Sequence, residues 1–179
     1  MRFTRTDIQG VWLVDPDVHE DERGRFFRAW CLDEFAKNGI HFIPVQANMG
    51  FSLKKGTLRG MHFQIAPALE AKLIRCTQGA VFDVAVDLRP DSLSYGRWFG
   101  AELTQENGKM LYVPEGCAHG YQTLKDETEI FYMASQPYTP TAAHGVRFDD
   151  PAFSIEWPLS VTVLSEQDRN WPLVSSNKN

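Results

Sequence analysis

The sequence predicts an all-β sandwich or barrel, and three observations carry that reading. Turn-forming pairs recur at short intervals: Asp15-Pro16, Arg23-Gly24, Asn38-Gly39, Lys55-Gly56, Gln78-Gly79, Pro90-Asp91, Tyr95-Gly96, Asn107-Gly108 and Glu115-Gly116. Between them lie short runs rich in Val, Ile, Phe and Trp, as an antiparallel sandwich requires. One run, AVFDVAVDL at 80–88, alternates strictly. Val81, Asp83, Ala85 and Asp87 fall on one face, and Phe82, Val84, Val86 and Leu88 on the other.

The elements follow in order. VWLV at 11–14, HFIPVQA at 41–47, GTLRGMHFQ at 56–64 and KLIRC at 72–76 read as strands. So do AVFDVAVDL, RWFGAEL at 97–103, KMLYV at 109–113, GCAHGYQTL at 116–124 and EIFYMAS at 129–135. Helices are few and short. LDEFAKNG at 32–39 makes about two turns and stops at Gly39, which can take the left-handed conformation. SEQDR at 165–169 begins with a capping serine, with Asp168 three residues on, in the manner of a capping box. Asp168 is thereby explained as an ordinary helix-start residue.

Composition removes several function classes. The chain has 179 residues, 43% of them hydrophobic, enough for a substantial core. It contains no repeat and no linker, so 1–179 is read as one domain. Net charge is −5, from 18 basic and 23 acidic residues, with no basic block beyond Lys54-Lys55. Nucleic acid is therefore not an expected partner. No apolar run is long enough to span a bilayer, and MRFTRTDIQG has no signal-peptide core. Cys31, Cys76 and Cys117 are odd in number and widely spaced, which suits reduced thiols in the cytoplasm.

Strand parity gathers the unusual polar residues. His62 shares a face with Leu58, Gly60 and Gln64; Lys72 with Ile74 and Cys76; Tyr132 with Ile130 and Ala134; His119 with Tyr121 and Thr123. One barrel interior can thus receive His62, Lys72, Asp83, His119 and Tyr132. Arg59 has the wrong parity and belongs at the barrel mouth or on a bulge. Each residue taken singly has an ordinary structural role. Together they need mutual pairing or a polar ligand.

A metal is not expected. The β-barrels that bind one commonly use an H-x-H tripeptide, whereas this chain has His62-Phe63-Gln64, and a nearby lysine would repel a divalent cation. Metal-free proton transfer suits the set better. Histidine is a general base near neutral pH, lysine stabilises a developing oxyanion, and tyrosine can donate a proton. Those parts can remove a proton beside a ketone and return it on the opposite face, an epimerisation without a cofactor.

The residues that carry a resemblance run nearly end to end. They include DERGRFF at 21–27, VQAN at 45–48, GTLRGMHFQ, KLI at 72–74, VFDVAVDLR at 81–89 and YGRW at 95–98. VPEGCAHGYQTL at 113–124, E-x-x-Y at 129–132, DDP at 149–151, IEWP at 155–158 and LSEQD at 164–168 complete the series. In order and spacing the sequence resembles the nucleotide-sugar epimerases typified by dTDP-4-dehydrorhamnose 3,5-epimerase. The resemblance implies a cupin-type jelly roll and a cofactor-free homodimer. It implies His62 as base paired with Asp168, Tyr132 as the opposed acid, and Lys72 at the enolate oxygen. It implies His119 and Asp83 supporting the sugar, Arg59 on the diphosphate, and Gln46, Asn48 and Tyr138 as nucleotide or sugar contacts. Arg23 and Phe26 would reach in from a second subunit. Arg28, Ala47, Met49, Glu70 and Met133 depart from the family pattern, as does TAAHG at 141–145. The sequence therefore leaves open a mono-epimerase acting on another nucleotide sugar, a sugar 3,4-ketoisomerase on the same scaffold, and a non-catalytic sugar-nucleotide binder.

Overall fold

A computed structural model describes residues 1–174. The architecture is a two-sheet jelly roll of the cupin type. The first sheet holds six strands: β1 (Arg2–Arg5), β2 (Trp12–Asp15), β5 (Gln46–Ser52), β7 (Lys72–Gln78), β10 (Met110–Val113) and β12 (Thr128–Ala134). Their order is β1-β2-β10-β7-β12-β5. The second holds β6 (Leu58–Gln64), β8 (Ala80–Asp87), β9 (Trp98–Thr104), β11 (Cys117–Thr123) and β13 (Ala143–Gly145), in the order β13-β6-β11-β8-β9. A separate hairpin pairs β3 (His19–Asp21) with β4 (Gly24–Phe26). The helices are α1 (Leu32–Lys37) and α2 (Glu166–Arg169). Among the described residues, no helix is long and apolar enough to cross a membrane.

The core follows the alternation. Inward residues of both sheets, among them Ile74, Cys76, Val81, Ala85, Leu111, Tyr121 and Ile130, form the central cluster. Phe82, Val84, Val86 and Leu88 face the other way, as AVFDVAVDL requires, and pack with Met61, Phe153 and Trp157. A third cluster seats Phe35 of α1 against Phe42, Leu73 and Tyr112 on the outer face of the first sheet. Phe35 and Tyr112 meet edge to face at 6.3 Å.

Local chemistry sets the boundaries. Gly39 ends α1 with φ of +77°, where a β-carbon would be strained. HFIPVQA is a strand only from Gln46 onward, because Pro44 has no N–H to give to a ladder. Phe42 is nevertheless fully buried. Ser165 caps α2 by accepting the Asp168 N–H at 3.0 Å, the predicted half of the capping box. The other half is missing: the Asp168 carboxylate turns away from the helix and into the sandwich.

The ladder between β6 and β11 contains the irregularity that Arg59 calls for. His119 sits opposite His62 and Tyr121 opposite Arg59, so β6 carries one extra residue there. Gly60 occupies this bulge with φ of +144°, and a β-carbon on it would lie 2.6 Å from Gly120 Cα. The extra residue shifts the parity, so that Arg59, opposite Tyr121, comes to the same face of β6 as His62, opposite His119.

Candidate active site

At one end of the sandwich a cavity is lined by Gln46 and Asn48 of β5, His62 of β6, Lys72 of β7 and Tyr132 of β12. Glu70, Tyr138, His144, Gln167 and Trp171 complete its walls. Antiparallel pairing explains the convergence. Tyr132 lies across from Asn48 on one side and Ile74 on the other, which brings three strands' inward residues to one level.

His62 is held by Asp168. Its Nε2 lies 2.6 Å from Asp168 Oδ1, across 106 residues of sequence. Asp168 is 4% exposed. It also accepts the Gly60 N–H at 3.3 Å and the Trp171 indole N–H at 3.3 Å. Burial pushes its carboxyl up. Hydrogen bonds from His62 and Gly60, with the charge of the imidazole, more than offset that and hold it below the usual carboxylate range. An ionised Asp168 fixes the proton of neutral His62 on Nε2, so the basic lone pair is on Nδ1. Trp171 packs edge to face on the His62 ring at 6.3 Å. The indole fits there because residue 145 is glycine; a β-carbon would come within 2.3 Å of the ring.

Tyr132 stands on the opposite sheet. Burial, and then the negative charge of Glu70, push its phenol up, while Arg59 opposes them, so it stays protonated at neutral pH. Lys72 Nζ is 2.8 Å from Glu70 Oε1, and both side chains are 11% exposed.

A second cavity adjoins the first at His62 and Gln167 and is lined by Arg59, Leu164, Ser165 and Asp168. Arg59 is anchored through the Phe51 carbonyl at 3.0 Å. His119 and Asp83 do not line the main cavity. His119 Nε2 lies 2.8 Å from Asp83 Oδ1, both are buried, and His119 is the β11 residue opposite His62. Gln46 and Asn48 are joined by a 3.1 Å bond, and the Tyr138 N–H binds Gln46 Oε1 at 3.0 Å. Arg23 and Phe26 are not brought to this chain's cavity. They lie on the β3–β4 hairpin, where Phe26 is 74% exposed and Arg23 pairs with Asp21.

Of the five single-residue departures, only Glu70 lines the cavity. Ala47 and Met49 occupy the opposite face of β5, Met133 packs in the outer cluster, and Arg28 pairs with Glu34 at 2.6 Å. The TAAHG stretch contributes Ala143 and His144 to the wall. Sequence reasoning missed Trp171 and Gln167. Gln167 lies within SEQDR, beside Asp168, while Trp171 follows the end of α2, where no periodicity marks it. The two buried thiols are inert: burial pushes Cys117 up to about 12 and Cys76 to about 11.

An imidazole with a buried carboxylate partner, an ammonium and an opposed phenol around one cavity are the groups that a proton-transfer isomerase needs. Comparison with known proteins makes that class specific. The sequence profile of the family described as dTDP-4-dehydrorhamnose 3,5-epimerase matches residues 5–176. The dTDP-4-dehydrorhamnose 3,5-epimerase of Sinorhizobium fredii (strain NBRC 101917 / NGR234) is 46% identical over 173 residues, covering 96% of this chain and 89% of the relative. The crystal structure of a 4-keto-6-deoxy sugar epimerase from the novobiocin biosynthetic gene cluster of Streptomyces spheroides superposes with a TM-score of 0.94. It is 38% identical, with 98% of this chain and 88% of that one covered. The epimerase of Legionella pneumophila Philadelphia 1, solved with dTDP-4-keto-L-rhamnose, gives a TM-score of 0.92 at 33% identity, covering 97% and 93%. This chain belongs to the dTDP-4-dehydrorhamnose 3,5-epimerase family, and is a carbohydrate epimerase.

Proposed function

We propose that residues 1–179 form one epimerase domain that inverts C3 and C5 of dTDP-4-dehydro-6-deoxy-D-glucose to give dTDP-4-dehydro-L-rhamnose. The observation that carries this reading is the His62–Asp168 pair facing Tyr132 across a cavity that also holds Lys72. His62 Nδ1 takes the proton from the carbon beside the C4 ketone. The C–H electron pair moves into the bond to C4, and the C4 oxygen takes the charge as an enolate. Lys72 stabilises that oxygen. When the enolate collapses, the carbon takes a proton from Tyr132 on the opposite face, and configuration is inverted. His62 then releases its proton to solvent and Tyr132 is reprotonated. Electrons and atoms balance without oxidation or reduction, so the chemistry calls for no redox cofactor.

The substrate assignment is supported by the names of the relatives and by the sugar nucleotide bound to the Legionella protein. Arg59 in the adjoining cavity suits the diphosphate. His119 and Asp83 support the sugar site, and Gln46, Asn48 and Tyr138 contact the sugar or base.

The working unit is a homodimer in the cytoplasm. Val45, Met49, Phe51 and Leu53 leave an exposed apolar stripe along the edge strand β5, which a second copy would cover. The β3–β4 hairpin would carry Arg23 and Phe26 to the partner's cavity. Three unpaired thiols suit the cytoplasm.

The test is proton NMR of dTDP-4-keto-6-deoxyglucose with the protein in heavy water. Deuterium at C3 and C5 is the expected result. Label at one carbon would leave a mono-epimerase, and no label from folded protein would overturn the reading.

A further inference from the structure

We propose that Glu70 is a positioning residue of this site: its carboxylate holds the Lys72 ammonium at the cavity wall and places a negative charge in the same cavity as the Tyr132 phenol. The inference deepens the epimerase reading and rests on it for the roles of Lys72 and Tyr132. Its foundation is geometric. Glu70 lies just before β7 and lines the same cavity as Lys72, Tyr132 and His62. Its Oε1 is 2.8 Å from Lys72 Nζ, and neither side chain is more than 11% exposed. A lysine has four rotatable bonds and scatters unless something fixes its end. Here Glu70 is the acceptor that Nζ contacts.

The arrangement has an opposing consequence. A carboxylate beside the ammonium weakens the positive field that a developing enolate would feel. Retaining such a charge in a catalytic cavity makes sense if it serves a second group, and Tyr132 is that group. Tyr132 is faced by Glu70 and Lys72 from the β7 side, by His62 and Arg59 from β6, by Tyr121 from β11 and by Asn48 from β5. Among these Glu70 is the only carboxylate. Arg59 favours the phenolate and Glu70 disfavours it. Glu70 therefore offsets the cations that a diphosphate-binding, enolate-stabilising cavity has to contain.

Two variants separate hydrogen bond from charge. Glu70→Gln keeps an oxygen acceptor for Lys72 and removes the charge; Glu70→Ala removes both. With dTDP-4-keto-6-deoxyglucose, Glu70→Ala is expected to lower kcat at least about tenfold with KM changed less than about threefold. Glu70→Gln should restore kcat to within about threefold of wild type. Independently of activity, a titration of Cζ-labelled tyrosine by carbon-13 NMR follows the phenol directly, with Tyr132→Phe assigning the signal. Its midpoint should fall by at least about half a pH unit in both variants. A Glu70→Ala enzyme with kcat within about twofold of wild type, or an unmoved Tyr132 midpoint in folded Glu70→Gln, would overturn the proposal. If the wild-type protein exchanges no deuterium, the epimerase reading fails, and the titration still decides whether Glu70 governs Tyr132.

Discussion

Replacing Asp168 by asparagine is nearly isosteric, yet it removes the charge and half of the acceptor capacity at the centre of the site. Asp168 Oδ1 receives His62 Nε2 and the Trp171 indole N–H, and Oδ2 receives the Gly60 N–H. An amide has one oxygen. If it faces His62, the NH2 meets the Gly60 N–H, donor against donor. If the NH2 faces His62, Nε2 must become the acceptor, the ring proton moves to Nδ1, and the base has no lone pair toward substrate. Either orientation leaves one buried donor unsatisfied, at about 1–3 kcal/mol of stability. That corresponds to roughly 2–4 °C of Tm per kcal/mol for a chain this long, within the reserve of a typical domain. The kinetic loss is larger. When His62 takes a proton, its new charge loses the carboxylate as counterion. Charges about 4 Å apart at an effective dielectric near 20 interact by about 4 kcal/mol. The expected fall in kcat is therefore about 10³-fold, rising toward 10⁴ if the tautomer is also wrong. The assay is the C3 and C5 deuterium exchange rate by NMR, beside a thermal melt of the same sample. Folded Asp168→Asn enzyme exchanging within about tenfold of wild type would refute the assignment of Asp168 as the group that orients and charges the base.

Tyr132→Phe keeps the ring and removes the acid, so deuterium should still enter the first carbon while inverted product is lost; full epimerisation would move the acid elsewhere. Gly60→Ala places a β-carbon 2.6 Å from Gly120 Cα at a φ of +144°, and should cost more than about 3 kcal/mol in urea unfolding. A loss under about 1 kcal/mol would mean that the bulge can relax. Asp87 is fully buried; burial pushes it up, but bonds from Arg89, Ser92 and Ser94 hold it well below the carboxylate range. Its folded pKa is depressed, so its stabilisation is present above the unfolded value near 3.9 and is lost as pH falls through the folded one. Asp87→Asn should therefore cost about 2–3 kcal/mol in denaturant at pH 7, a difference that shrinks below about pH 4; a pH-independent difference would contradict the linkage.

The period of two carried most of the fold. AVFDVAVDL sorts its residues into two separate clusters as its alternation requires, and parity alone brought His62, Lys72 and Tyr132 into one interior. Even the misfit of Arg59 was informative, because only an inserted residue could reconcile it with His62. What parity could not supply was depth and partnership. His119 and Asp83 point inward as expected but are buried against each other and do not line the cavity, since alternation gives a direction and no partner. Asp168 read as a helix cap because its local surroundings explain its backbone and conceal the 106-residue reach of its carboxylate. Trp171 belongs to the segment after α2, which has no period to read. The outward position of Ala47, Met49 and Met133 also needed the register, and it moves those three departures away from the cavity, leaving Glu70 and the TAAHG stretch on its wall.

The carboxylate that holds His62 is delivered by a helix of four residues, not by either sheet. That segment is moored to β6 by the Leu58 N–H on the Val163 carbonyl and by the bonds of Asp168 itself. Local opening must also part Thr162 from Lys55 and Gly56 and Trp171 from His62 and Gly145, whereas global unfolding must dismantle two sheets. Catalytic competence and thermodynamic stability are therefore separate properties of this molecule. Sheets can stay intact while the His62–Asp168 contact is broken, so loss of that contact and loss of the fold are two distinct events.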